Sequence, residues 1–215
     1  MSDWIDISLP LGPDSTAWAG IAPPRLIRLA DIDGGDSVNV GVLTACLHTA
    51  THADAPSHVR ADGATIEDVP LDAYLGAARL IRLRPAAAID LAGLLAAGLD
   101  PDGPWPERLL VATGHAYDGV HWPASVPHVA ADAAAACIAH GVRLLGVDVP
   151  SVDPLDSRAL TAHHALFGAG IAILENLQLA ELAPGAYWLA AVPLAIVGGD
   201  ASPVRAVVRR LADGP

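Results

Sequence analysis

At 215 residues the chain is long enough for one well-filled core and short for two full domains. Hydrophobic residues make up 53% of it, drawn almost wholly from Ala, Leu, Val and Ile, a globular profile that excludes disorder. The net charge of −12 and the scattered basic residues leave no stripe to neutralise phosphates, which excludes a nucleic-acid partner.

The N-terminal stretch MSDWIDISLPLG lacks the basic and apolar regions of a signal peptide, and no apolar run reaches membrane-spanning length. A cytoplasmic protein with no membrane partner is expected. β-rich runs are predicted at 4–8, 26–30, 38–47, 79–83, 109–113, 143–148, 171–174, 187–192 and 204–209. Ala/Leu-rich stretches at 87–99, 129–140 and 157–167 predict helices, the second with Asp132 in its first turn and Gly141 closing it. Strands and helices mix without strict alternation, so one α-and-β domain spanning 1–215 is the simplest organisation. Cys46 and Cys137 form no CxxC and sit in apolar runs, which predicts two buried free thiols in a reducing compartment.

The densest chemistry lies in HTATHADAPSH, residues 48–58, at the end of the run 38–47, which reads as an interior strand. His48, His52, Asp54 and His58 share parity, so a continuing strand would put all four on one face. At ~3.3 Å per residue, however, His48 and His52 would stand roughly 13 Å apart. Two ligands of one ion, each ~2.0–2.2 Å from it, must nearly touch. A helical turn would join His48 to His52 but send Asp54 away, and Pro56 opposes it. An irregular turn leaving a strand is therefore expected. Spacing alone leaves a metal site, metal-free acid–base chemistry or chance open, with the metal site favoured. A catalytic site completed from elsewhere fits better than a closed structural one.

The best second segment is TAHHALFGAGIAILENLQL, with His163, His164 and Glu175. Glu175 follows the apolar run 171–174, where a carboxylate ending a buried strand is costly unless paired or bound to a cation. A place in a helix N-cap is its alternative. The histidines are expected near the end of the preceding helix. Elsewhere, no serine sits in a GxSxG elbow, and Ser57 and Ser151 read as turn residues. DIDGGDS, residues 31–37, hints at a calcium loop but has Val42 where a bidentate Glu is needed. GGDASP reads as a turn before the last strand.

HTATHADAPSH resembles the HxGTHxDxPxH signature of the metal-dependent cyclase-like hydrolases, a likeness that extends to GVRLLGVDVPSVDP, HHALFGAGIAILENLQL and PLAIVGGDASPVRAVV. It covers most of the chain and is good for the bacterial formamidase branch. The resemblance implies an α/β fold of the swivelling β/β/α type, with a central, mixed, partly barrel-like sheet and flanking helices. It implies two divalent ions per subunit, usually zinc with manganese an alternative. His48, His52 and Asp54 would hold the first, Asp54 and Glu175 would bridge to the second, and His163 would complete it. It further implies His58 as proton donor and acceptor, Trp18 as an aromatic substrate contact, and a homodimer. The implied reaction is hydrolysis of an aryl formamide, N-formylkynurenine, to kynurenine and formate in tryptophan degradation.

Ala50 stands in place of the usual Gly, Val59 in place of an aromatic, and Ile21 where an acid is common. The stretch 114–128 departs from the formamidase pattern and adds His115, His121 and Trp122. These departures leave the metal chemistry intact and bear on the substrate. A sibling hydrolase opening a lactam or another acyl amide, and a non-catalytic metal-binding protein, are the alternatives.

Overall fold

The computed structural model describes residues 3–16, 18, 20–83, 88–115 and 117–211. In chain order the strands are β1 (Trp4–Asp6), β2 (Arg25–Ala30), β3 (Val40–Thr44), β4 (His52–Asp54), β5 (Leu75–Arg82), β6 (Ala88–Ile89) and β7 (Arg108–Ala112). They continue as β8 (His128–Val129), β9 (Leu144–Val147), β10 (Ala172–Glu175), β11 (Gly185–Ala190), β12 (Ala201–Pro203) and β13 (Val207–Arg210). Helices α1 (Leu91–Ala96), α2 (Ala131–Ala139) and α3 (Thr161–Gly168) follow β6, β8 and β9. The predicted start of the first helix at residue 87 lies outside the described residues.

Nine strands form one curled, half-barrel sheet in the order β1-β13-β11-β5-β7-β9-β10-β4-β12. Its centre, β5-β7-β9-β10, is parallel, and both flanks are antiparallel. RLLVA in β7 and LLGV in β9 are buried throughout, as parallel strands covered on both faces must be. Leu109 and Val111 face a core shared with α1, α2 and α3, while Leu110 and Ala112 face the inside of the curl with Tyr74, Leu174 and Leu189. At the inner crossing Gly146 is required, because a Cβ there would lie 2.7 Å from both Leu110 and Leu177 side chains. The α2 helix ends as expected, with Gly141 at φ 72° and the Val142 amide bonded back to Cys137. Among the described residues no helix is long and apolar enough to cross a membrane.

Three expectations change. The run 38–47 is not an interior strand: β3 pairs only with β2 in a separate ribbon, and all five of its residues are exposed. Its alternating apolar pattern is present, but among the described residues no strand of the main sheet pairs with it and its residues stay exposed. The segment 48–58 contains a true strand, β4, which pairs with β10 and β12 and is followed by a one-turn 3-10 helix at Pro56–His58. Both cysteines are free, and Cys137 is buried with its thiol pushed up to about 12, yet Cys46 is only partly buried.

The Pro56–His58 turn is fixed from below by Gly63, where an added Cβ would lie 2.4 Å from the Pro56 carbonyl carbon and 2.6 Å from the Ser57 nitrogen. Gly63→Ala is expected to cost about 1–3 kcal/mol through overpacking. A urea unfolding midpoint unchanged from the parent would show that the turn gives way freely.

Candidate metal centre

Strand alternation puts His52 and Asp54 on one face of β4, and the register with β10 sets Glu175 opposite His52. His48 reaches the same place from the turn before β4, and His163 from the first turn of α3, not from its end as the sequence suggested. His163 is buried beside the carboxylates, whereas His164 points outward and is exposed. The backbone bends sharply around the cluster: Ala50 and Asn176 both adopt left-handed conformations, with φ of 60° and 59°. Ala50 thus occupies a conformation that a glycine takes without steric cost. The Asn176 amide secures that bend by donating to the Ala50 carbonyl at 3.0 Å.

Asp54 and Glu175 are buried, and three imidazoles surround them. Asp54 Oδ1 lies 2.9 Å from His48 Nδ1 and 3.3 Å from His52 Nε2, while Asp54 Oδ2 lies 3.4 Å from His163 Nε2. Glu175 turns Oε2 to His52 at 3.4 Å and Oε1 to His163 at 3.5 Å. These separations are close, yet His52 Nε2 and both Asp54 oxygens have no aligned hydrogen-bond partner. Donor atoms around a tetrahedral ion with bonds of ~2.0–2.2 Å stand about 3.4 Å from one another. Orphaned, buried and converging, they fit a cation better than they fit each other. Among the described residues three groups could hold an ion: His48–His52–Asp54 and Asp54–His163–Glu175, which share Asp54, and His48–His58–Asp200 at the rim.

Each imidazole is held from behind by an acceptor. His52 Nδ1 donates to the Ala50 carbonyl at 2.9 Å, His163 Nδ1 to Asp153 at 2.7 Å, and His48 Nε2 to Asp200 at 3.1 Å. The opposite nitrogen of each ring is thereby left to face the carboxylates. Asp153 also accepts from the backbone amides of Ala162 and His163, fixing the start of α3. Burial opposes charge on His52, but Asp54 and Glu175 outweigh it and hold its pKa up to about 10. Burial likewise opposes charge on His163, which Asp153, Asp54 and Glu175 hold up to about 12, and on His48, which Asp200 and Asp54 hold up to about 8. Asp54 goes well below its ordinary value despite burial, because the histidines surround it.

His58 stands at the rim, its ring centroid 4.1 Å from that of His48 and 5.6 Å from that of His163. Burial and the neighbouring His48 hold its pKa below the ordinary 6.5. Trp18 pairs with Trp122 at 5.0 Å, and Trp122 packs on Tyr117 in a small cluster with Leu9 and Ala50. Positions 17 and 19, either side of Trp18, lie outside the described residues. Trp122 also lines a cavity of about 770 Å³ with His115, His128, Pro154 and Asp156, within the size range of small-molecule sites. His121 instead faces solvent and pairs with Asp118, and Ile21 is exposed.

Sequence reasoning missed Asp153 and Asp200. Both lie in segments it singled out, DVPSVDP and GGDASP, but as turn residues their spacing carried no ligand signal.

The Cyclase family model matches residues 5–154. Kynurenine formamidase of Bacillus mycoides (strain KBAB4) is 44% identical over 208 residues, covering 97% of this chain and 98% of that one. Kynurenine formamidase of Bacillus cytotoxicus is 41% identical over 98% of this chain and 99% of its own. A solved structure described as a potential metal-dependent hydrolase with cyclase activity superposes with a TM-score of 0.79 at 25% identity, over 97% of this chain and 98% of its own. Isatin hydrolase A from Labrenzia aggregata, bound to benzyl benzoate, shares the fold with a TM-score of 0.78 at 22% identity, over 97% of this chain and 94% of its own.

The raised histidine pKa values set a stability trend. A group that binds its proton more tightly when folded stabilises the protein below its unfolded pKa and loses that stabilisation as pH rises through the folded value. Chelator-treated protein is therefore expected to lose stability from near pH 6.5 upward, through about 8 for His48 and about 10 for His52. His48 alone contributes about 2 kcal/mol. Melting temperatures of the chelator-treated protein that stay flat over this range would contradict the assignment.

Proposed function

This chain belongs to the Cyclase family, and from that premise we propose that it is a metal-dependent amide hydrolase converting N-formylkynurenine and water to kynurenine and formate. The observation that carries the reading is the convergence of His48, His52, Asp54, His163 and Glu175 on orphaned buried donor atoms, with His58 beside them. The kynurenine formamidases that match nearly the full chain supply the substrate.

Two divalent ions are proposed, one held by His48, His52 and Asp54, the other by His163, with Asp54 and Glu175 bridging. Zinc suits these ligands, and manganese is the alternative. Ions held there would activate water near neutral pH and polarise the formyl oxygen. His58, outside the ligand set and kept neutral by its surroundings, takes up a proton and delivers it to the arylamine nitrogen as the C–N bond breaks. Trp122, packed on the cluster that contains Ala50, and Trp18, paired with it, would stack on the aromatic ring. The divergent stretch 114–128 lines the neighbouring cavity and favours a second reading, in which a related aryl lactam is opened.

The enzyme is further proposed to act as a single-domain, cytoplasmic homodimer. Two unpaired cysteines suit a reducing compartment. The β2–β3 ribbon exposes Leu26, Ile27, Leu29, Val40, Val42 and Leu43, an apolar surface suited to a second copy.

Purified protein, metal-loaded and chelator-stripped, is to be assayed on N-formylkynurenine beside isatin. Metal-dependent release of kynurenine is expected, and His58→Ala should lower kcat about 10²–10⁴-fold while keeping its ions. Opening of isatin without formamide turnover would move the substrate to the lactam reading. Leu26→Asp combined with Leu29→Asp is expected to shift a dimer to a monomer in light scattering; a monomeric parent would overturn the assembly.

A further inference from the structure

We infer that Asp200 is a positioning residue for both His48 and His58, a single carboxylate oxygen setting which ring nitrogen each turns toward the reaction. The inference rests on the reading that His48 holds an ion and His58 moves the proton.

Asp200 comes from the turn before β12, and its backbone carbonyl accepts from the Ala55 amide at 3.0 Å, which fixes it against the end of β4. From there Oδ2 lies 3.1 Å from His48 Nε2 and 3.6 Å from His58 Nδ1. A carboxylate can only accept, so His48 Nε2 carries a proton toward Asp200, and Nδ1, 2.9 Å from Asp54, is the nitrogen turned toward the cluster. This is the carboxylate–histidine arrangement that fixes a metal ligand's tautomer and raises its basicity. The same oxygen is too far from His58 for a full hydrogen bond but near enough to attract its Nδ1–H. Nε2 of His58 is then the nitrogen free to exchange a proton with substrate. With the two rings 4.1 Å apart, Asp200 ties the ligand and the proton carrier to one anchor. No other described side chain forms an ion pair with His58.

A competing arrangement exists, because His48, His58 and Asp200 also bring one ligand atom each within 4.8 Å. In that case His58 and Asp200 would themselves be ligands.

Asp200→Ala and Asp200→Asn in the full chain separate these cases. Zinc affinity is read by competition with a chromophoric chelator, stoichiometry by elemental analysis, and kcat and KM on N-formylkynurenine. Asp200→Ala is expected to weaken one zinc about 10–100-fold at unchanged stoichiometry under saturation, and to lower kcat by a similar factor with KM little changed. Asp200→Asn, which keeps an acceptor for His48 Nε2–H, should fall between it and the parent. Parent-level affinity and kcat in Asp200→Ala overturn the inference. So does the loss of one whole ion in both Asp200→Ala and His58→Ala, which makes these residues ligands. Should the alanine variant melt early, the isosteric asparagine decides, and parent-level affinity there overturns the inference too. A parent that binds zinc without hydrolysing N-formylkynurenine defeats the substrate reading alone, since the affinity measurement still decides Asp200.

Discussion

Two carboxylates, Asp54 and Glu175, share one dry space, and the rest of the molecule is arranged around keeping them there. Like charges brought together out of water repel strongly, and an unpaired buried charge destabilises a fold by several kcal/mol or more. The chain answers with three imidazoles aimed at the pair and an acceptor behind each one. Protons on the rings balance the carboxylates in the absence of ions, and divalent ions do so when bound, which makes ion and proton competitors for the same nitrogens. The left-handed bends at Ala50 and Asn176 belong to the same arrangement, since they deliver the carbonyl that orients His52 and the amide that steadies it.

Chemistry and recognition draw on different parts of the fold. The carboxylates and His52 sit on paired strands, where register leaves little freedom, and His163 is tied to α3 by the residue that caps it. Trp18, Trp122 and most of the cavity walls belong to connecting segments. Loops tolerate change that a strand register does not. A departure from the formamidase pattern at 114–128 beside an unaltered set of proposed ligands is what that division permits.

Much of the site was legible because metal ligation needs particular side chains crowded together, and His48, His52, Asp54 and His58 announce themselves within eleven residues. Glu175 stood out because an acid at the end of an apolar strand needs a partner. The histidine doublet could not be divided by composition; one helical step buries His163 and exposes His164. Asp153 and Asp200 were hidden, because their meaning comes from which nitrogen they hold, and that exists only in three dimensions. The run 38–47 misled for a related reason: alternation reports an apolar face but not what covers it, and here the main body does not. Conversely, the three residues His-Ala-Asp carry almost no strand signal, and β4 forms because β10 and β12 flank it on both sides.

That last feature governs the order in which the protein can be made. Residues 52–54 emerge from the ribosome early, yet their neighbours in the sheet are residues 172–175 and 201–203. The first cluster of histidines lacks Glu175 until residue 175 has been synthesised, and Asp200 until residue 200 has been. Closing such long loops is the slow part of folding. A nascent chain therefore displays several strong metal-binding side chains for most of its synthesis without the geometry that selects among ions. The pairing that holds His52 and Asp54 in register is complete only once residues 201–203 have joined β4.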